Sequence, residues 1–226
     1  MSTNHLVSKS VKPHKGIAME GLIAKWYAKN AARPLEQKLL VKKIKDAMPS
    51  GGNLLEVAPG PGHLAIELAK FSMYKVTALE ISKTFIEIAQ DNAKKAKVNV
   101  QFRHGNVSEM PFENKTFDFI ICVAAFKNFS EPVKAIREMY RVLRPNGRAC
   151  IIDLRRDVPL DRINKHVKDD LHMKGFNAFM TRWTFRNFLL KNAYTKVEIE
   201  NLVAQTNFVH AKIYEDTIGM EIWLEK

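Results

Sequence analysis

Hydrophobic and polar residues follow two alternating rhythms along this chain of 226 residues. Short apolar runs of strand length stand at Asn53–Ala58, Lys75–Leu79, Val98–Arg103, Phe117–Val123 and Arg148–Leu154. Between them, apolar residues recur every three or four positions, as on one face of a helix, over His63–Phe71, 83–96 and 131–142. Ser82 reads as the N-cap of the second of these, with Phe85, Ile86 and Ala89 on one side; Ser130, with Pro132 two residues on, opens the third. Upstream, Ile17–Asn30 has helical spacing interrupted by Gly21. Pro34–Met48 is an amphipathic helix with Leu35, Leu39, Leu40 and Ile44 as its stripe, ended by Pro49–Gly52. Arg144–Gly147 reads as a turn. Residues 157–193 are polar and aromatic with short helical stretches. Thr195-Lys-Val-Glu198 is a capping box that starts a helix over 196–205. Lys212–Tyr214 and Glu221–Leu224 read as two last strands joined near Asp216–Gly219.

Strands alternating with helices predict a parallel sheet covered on both faces. In such sheets ligands sit outside the carboxyl ends of the strands, at the switch point beside the first strand. The loops to inspect are therefore those just after each strand.

Composition narrows the class. Hydrophobic residues make up 46% and charged residues 27%, enough apolar material for a core, which excludes global disorder. The longest apolar run, Phe119–Phe126, is far short of the roughly 20 residues of a membrane span. Residues 1–15 contain no apolar signal-peptide segment. Cys122 and Cys150 both lie in strand-like runs, with no disulfide framework and no zinc spacing, so no metal is expected. These features predict a reduced, cytoplasmic protein. The net charge of +12 is uneven: residues 1–53 hold 10 basic and 3 acidic side chains, or +7. That excess is a solvated helix face or an attraction to nucleic acid, anionic lipid or an anionic substrate.

After the first strand comes Glu56-Val-Ala-Pro-Gly60-Pro-Gly62, where two glycines let backbone approach a ligand and a helix N-terminus offers free N–H groups. Glu80 ends the second strand, 24 residues after Glu56, and a carboxylate there can take both hydroxyls of a ribose. Gly105-Asn106-Val107 follows the third strand, where an amide can bond the edge of an adenine and Val107 can pack on its face. Met110-Pro-Phe112, Phe117-Asp118 and Leu143-Arg-Pro-Asn-Gly147 complete the ordered set.

Taken together in this order, these motifs resemble a class I S-adenosylmethionine-dependent methyltransferase. Within that class they are most similar to the small-molecule type of ubiquinone and menaquinone biosynthesis, strongly over residues 34–154. The resemblance implies an α/β fold: a Rossmann-like, doubly wound, seven-stranded and mostly parallel sheet with an antiparallel last strand, helices on both faces and an N-terminal helical cap. It implies a basic tail and cap over 1–33 and a cofactor-binding domain over 34–226, with 154–194 as a substrate-side lid insertion. It also implies methyl transfer from S-adenosyl-L-methionine, leaving S-adenosyl-L-homocysteine. Gly60 and Gly62 would admit the methionine part, with Glu56 and Ala58 shaping that loop. Glu80 would bind the ribose, Ile81 would pack on adenine, Asn106 and Val107 would hold the adenine, and Cys122, Val123 and Ala124 would run along the methionine side. Two positions depart from the family: Ala58 stands where Gly is usual, and Asn106 where Asp is usual.

On the substrate side the candidates are Tyr27, Asp153, Arg155, His166, His172, Arg182 and Trp183, with Phe176, Phe179, Phe185 and Phe188 as pocket lining or lid core. A small organic acceptor is favoured over nucleic acid, because the stretch after the fourth strand, Cys122–Phe126, lacks the Asn/Asp-Pro-Pro-aromatic element of amino-methylating nucleic-acid enzymes. The rival readings are an RNA methyltransferase using the basic N-terminal segment, a non-catalytic cofactor-binding regulator and, least favoured, a dinucleotide-dependent dehydrogenase. Oligomeric state is not legible.

Overall fold

A computed structural model describes residues 14–15, 19–30, 34–48, 50–170 and 189–226. Seven strands form one sheet in the order β3-β2-β1-β4-β5-β7-β6. They are β1 (Gly52–Val57), β2 (Tyr74–Glu80), β3 (Gln101–His104), β4 (Phe117–Val123), β5 (Leu143–Leu154), β6 (His210–Glu215) and β7 (Gly219–Glu225). The first five are mutually parallel, and β7 runs antiparallel to both of its neighbours, β5 and β6. Because β2 lies on one side of β1 and β4 on the other, the strand order reverses between β1 and β4. That is where an α/β sheet opens a ligand crevice.

The central strands are buried on both faces, so alternate residues feed two cores. Leu55, Val57, Ile120, Cys122, Ala149 and Ile151 pack against helices α5 (Pro132–Val142) and α7 (Lys196–Val203). Leu54, Val76, Ala78, Phe119, Ile121 and Cys150 pack against α2 (Pro34–Ala47) and α3 (His63–Ala69). Helix α4 (Lys83–Ala96) lies beside α3 with Phe85, Ala89 and Ala93 buried, and Ser82 caps it as expected, accepting the Phe85 amide at 3.1 Å. The Thr195–Glu198 capping box is present at α7.

Several boundaries differ from the sequence expectation. Helix α1 spans Gly21–Asn30, so Gly21 opens the helix instead of interrupting it. In α2, Ile44 is buried but Leu35 and Leu39 are exposed. At 100° per residue those two lie roughly 100–180° around the helix from Leu40 and Ile44, so the four are two stripes. The strand expected from Val98 starts only at Gln101. Lys97, in the left-handed conformation, caps α4, and the Val98 amide is used up on the Ala93 carbonyl at 3.2 Å. Ser130 does not cap α5; the N-cap is Glu131, without a side-chain cap bond. The Arg144–Gly147 turn is absorbed into β5 as a bulge: Phe117 pairs with Leu143 but Phe119 with Arg148, and Asn146 has φ +64°. Helix α6 (Leu160–Lys165) runs into a π-helical turn, His166–Asp170.

Candidate active site

Strands β1 and β4 both leave the sheet through an alanine in the left-handed region, Ala58 at φ +55° and Ala124 at φ +57°. Each keeps its amide in the sheet's bonding pattern, Ala58 to Leu79 O at 2.8 Å and Ala124 to Ile152 O at 2.7 Å. Such a backbone costs an L-residue roughly 1–2 kcal/mol, and strain of this kind gathers at functional sites. It also explains the glycine usual at position 58 in the family that the sequence resembles.

The turn after Ala58 is built on two glycines with opposite duties. Gly62, at φ +78°, begins α3; a Cβ there would stand 2.9 Å from Ala89 Cβ and 3.2 Å from the Phe102 ring. Gly60, at φ +54°, has nothing within 4 Å of that position, so its missing side chain leaves open space. One glycine is needed for packing and the other clears the crevice.

Glu80 faces this turn. Its Oε2 accepts the Gly60 amide at 3.0 Å, and its Oε1 accepts the amides of Ile81 and Ser82, both at 2.9 Å. Burial pushes the Glu80 carboxyl up, opposed by these amide bonds. A carboxylate has about four acceptor positions, so one, on Oε2, is left for a ligand hydroxyl. The two-hydroxyl grip expected from the sequence therefore requires an amide to let go.

Beneath the turn, Glu56 is buried with Oε2 unpartnered. Burial raises its carboxyl to about 8; the Ala65 amide of α3 opposes that, and the nearby Glu80 adds to it. His63, first residue of α3, also buries an unpartnered Nε2, and its desolvation lowers its basicity. Two of the four buried side-chain N or O atoms without a hydrogen bond among the described residues thus belong to this turn. Buried polar atoms are ordinarily paired, so these two point to a ligand that brings donors. A cofactor with an ammonium group and ribose hydroxyls fits the donor-accepting set of Glu56 and Glu80.

After β3, Asn106 turns its Oδ1 back to the Ser108 amide at 3.0 Å, leaving its NH2 to donate. The NH2 is free to donate to a ring nitrogen, and Oδ1 keeps a second lone pair. Val107 is buried beside it, and Ile81 is half-buried with its carbonyl 3.0 Å from His104 Nε2. Cys122 places its thiol wholly in the core between β4 and α5, where burial pushes it far up with Asp153 adding to the effect. Val123 packs partly against the opposite core.

The acceptor-side residues are less gathered. Asp153 is buried and engaged: Oδ1 takes Lys127 Nζ at 2.7 Å and the Leu154 amide at 2.8 Å, and Oδ2 takes the Lys127 amide at 2.9 Å. It anchors the short 3-10 helix Phe126–Asn128 to the end of β5 and does not face the crevice as a free carboxylate. Lys127, almost fully buried with it, gave no signal in the sequence, where a lone lysine between aromatics reads as surface. Arg155 already stands 3.0 Å from both Asp157 and Glu215, and Arg156 pairs with Glu198. Neither is an idle anion clamp. Tyr27 packs edge-on against Phe85 at 5.9 Å, and His166 lies in the π-helical turn. His172, Arg182 and Trp183, with Phe176, Phe179, Phe185 and Phe188, lie outside the described residues.

The N-terminal segment touches loops on both sides of the switch point. His14 pairs with Phe129, Lys15 N donates to Asn128 O at 2.7 Å and Lys15 Nζ donates to the Tyr194 hydroxyl at 2.7 Å. Further along, Glu20 accepts the Lys83 and Thr84 amides at 3.0 and 3.1 Å at the start of α4. Tyr194 in turn stacks with Phe126 at 5.7 Å. No group of His, Cys, Asp and Glu among the described residues is arranged to hold a metal. No helix among them is long and apolar enough to cross a membrane.

Residues 55–151 match the methyltransferase domain family. The demethylmenaquinone methyltransferase of Listeria welshimeri is 33% identical over 124 residues, covering 51% of this chain and 52% of that protein. The chain thus spans about half the length of the curated relatives it matches. Among solved structures, a SAM-dependent methyltransferase from Aquifex aeolicus superposes with a TM-score of 0.67 at 19% identity, over 88% of this chain and 97% of that one. The plantazolicin methyltransferase BpumL, solved with a desmethylPZN analogue and SAH, gives 0.67 at 14% identity over 90% and 89%. The sheet order, the glycine turn facing an acid at the end of β2, and this match agree: residues 55–151 are similar to the methyltransferase domain family, set on the fold shared by these solved methyltransferases.

Proposed function

We propose that the protein transfers a methyl group from S-adenosyl-L-methionine to a small organic acceptor. The observation that carries this reading is the Glu80 carboxylate held 3.0 Å from the Gly60 amide, above the buried and unpartnered Glu56 oxygen. When bound, the donor supplies a sulfonium methyl whose bond to sulfur breaks as the acceptor's electron pair forms the new bond to carbon. Glu80 Oε2 would take a ribose hydroxyl, Asn106 would bond the adenine edge, and the space over Gly60 would admit the methionine end, whose ammonium Glu56 would receive. Orientation by these residues would supply much of the acceleration, on the order of 7–11 kcal/mol in ideal cases. Among the described residues the two thiols are buried and driven up, Cys150 to about 12, so neither serves as a nucleophile. Support for a small acceptor comes from the relatives named as demethylmenaquinone methyltransferases.

Calorimetric titration of the full chain with S-adenosylhomocysteine tests the cofactor. Binding with a micromolar Kd is expected, weakened about tenfold or more in Glu80→Ala, since a charge-assisted hydrogen bond is worth roughly 1.5–3 kcal/mol. A folded protein that gives no heat overturns the reading. Demethylmenaquinone is the first acceptor to assay for S-adenosylhomocysteine release.

A further inference from the structure

Helix α1 turns its bulky side outward. Ala24 is fully buried and Tyr27 leans on Phe85, so the helix rests on α4 through its small-residue side. Leu22 is 84% exposed, Trp26 67%, Ile23 47% and Tyr27 42%. Leu22 and Trp26 are one turn apart and Ile23 adjoins them, so they form one stripe. Lys25 and Lys29 flank it, both exposed. Helix α2 repeats the arrangement: Leu35 and Leu39 are exposed one turn apart, with Lys38 and Lys42 exposed beside them.

A helix serving only to cover a soluble core puts Leu and Trp inward and Lys outward. Here both kinds face outward, the pattern of a helix that lies in the plane of a bilayer surface. We infer that α1 docks on an anionic lipid surface, with Leu22, Ile23 and Trp26 entering the acyl boundary and Lys25 and Lys29 meeting headgroup phosphates, aided by the exposed face of α2. The charge of +7 on residues 1–53 complements such a surface. The same charge opposes pairing of this face with a second copy of the chain. A nucleic acid would use the lysines but leaves Leu22 and Ile23 without a role. The surface would meet the protein beside the crevice, because Glu20, one residue before α1, binds the amides that begin α4 next to Glu80.

The test is co-sedimentation of the full chain with vesicles of phosphatidylcholine, alone or mixed with phosphatidylglycerol. Binding to the mixed vesicles should exceed binding to phosphatidylcholine about tenfold. Leu22→Ser with Ile23→Ser should weaken it at least about tenfold at low salt, while the melting curve by circular dichroism stays that of the wild type. Lys25→Glu with Lys29→Glu should abolish the preference for phosphatidylglycerol. The inference is overturned if the wild type ignores the mixed vesicles, if the Leu22/Ile23 variant binds them as tightly as the wild type, or if a duplex RNA competes the vesicles away. None of these readouts uses the methyl donor, so the docking surface and the methyl transfer stand or fall separately.

Discussion

Glu56 buries a carboxyl whose ordinary value of 4.5 is raised to about 8, chiefly by burial. Between those two values the unfolded chain carries the charge and the folded chain holds the proton, so folding takes up a proton. The stability this group contributes is full below pH 4.5 and is lost as the pH climbs through about 8. In denaturant melts from acid to mildly alkaline pH, Glu56→Gln should therefore flatten the decline seen in the wild type, by at most about 5 kcal/mol across the window. Parallel profiles for the two proteins would mean that Glu56 is charged in the native state. Glu80, Gly60 and Gly62 were legible in the sequence because their spacing is that of one strand-turn-helix-strand unit, which the backbone reproduces. Lys127 was not, because nothing in its neighbourhood along the chain announces Asp153, 26 positions away and bonded to it at 2.7 Å. The pairing of Arg155 with Glu215, 60 positions away, escaped for the same reason.

At the scale of elements, the turn from β1 into α3 separates packing from ligand access. Gly62→Ala drives a Cβ into Ala89 and Phe102, which hold α3 against α4 and β3, at a φ already unfavourable to alanine. A loss of about 2–5 kcal/mol in stability is expected, the overpacking adding to the left-handed cost. Gly60→Ala meets no neighbour, so its stability should fall by only about 1–2 kcal/mol, the left-handed cost alone. Its calorimetric affinity for S-adenosylhomocysteine should nonetheless drop, because the methyl fills the crevice. Equal stability losses in the two variants, or full binding by Gly60→Ala, would contradict this division. The elements themselves were largely legible, since the two rhythms of apolar residues are those of strands and helices buried in a three-layer fold. Boundaries and faces were not. The α2 periodicity holds two stripes, and only the position of α3 decides that Ile44 turns inward while Leu35 stays out. The start of β3 is set by the left-handed cap at Lys97, a conformation lysine residues seldom adopt and no pattern foretells.

For the molecule as a whole, a ligand that binds only the folded chain raises its melting point. S-adenosylhomocysteine at a hundredfold excess over Kd adds about 2.7 kcal/mol, or roughly 5–10 °C for a domain of this size. A calorimetric scan with no shift would be incompatible with a cofactor held by loops from β1, β2 and β3. A mostly parallel, doubly wound sheet was foreseeable because α/β chains have few ways to bury both faces of a parallel sheet. The last strand carries a consequence for biosynthesis. Strands β1 to β5 can assemble as the ribosome delivers them, but β7, which follows both of its neighbours in the chain, occupies the gap between β5 and β6. Until residues 219–225 emerge, the nascent sheet shows an unpaired β5 border rich in Ala149, Cys150 and Ile151, a template for sticking to other chains. The newborn polypeptide is thus in need of chaperone shelter until β7 slides in between β5 and β6.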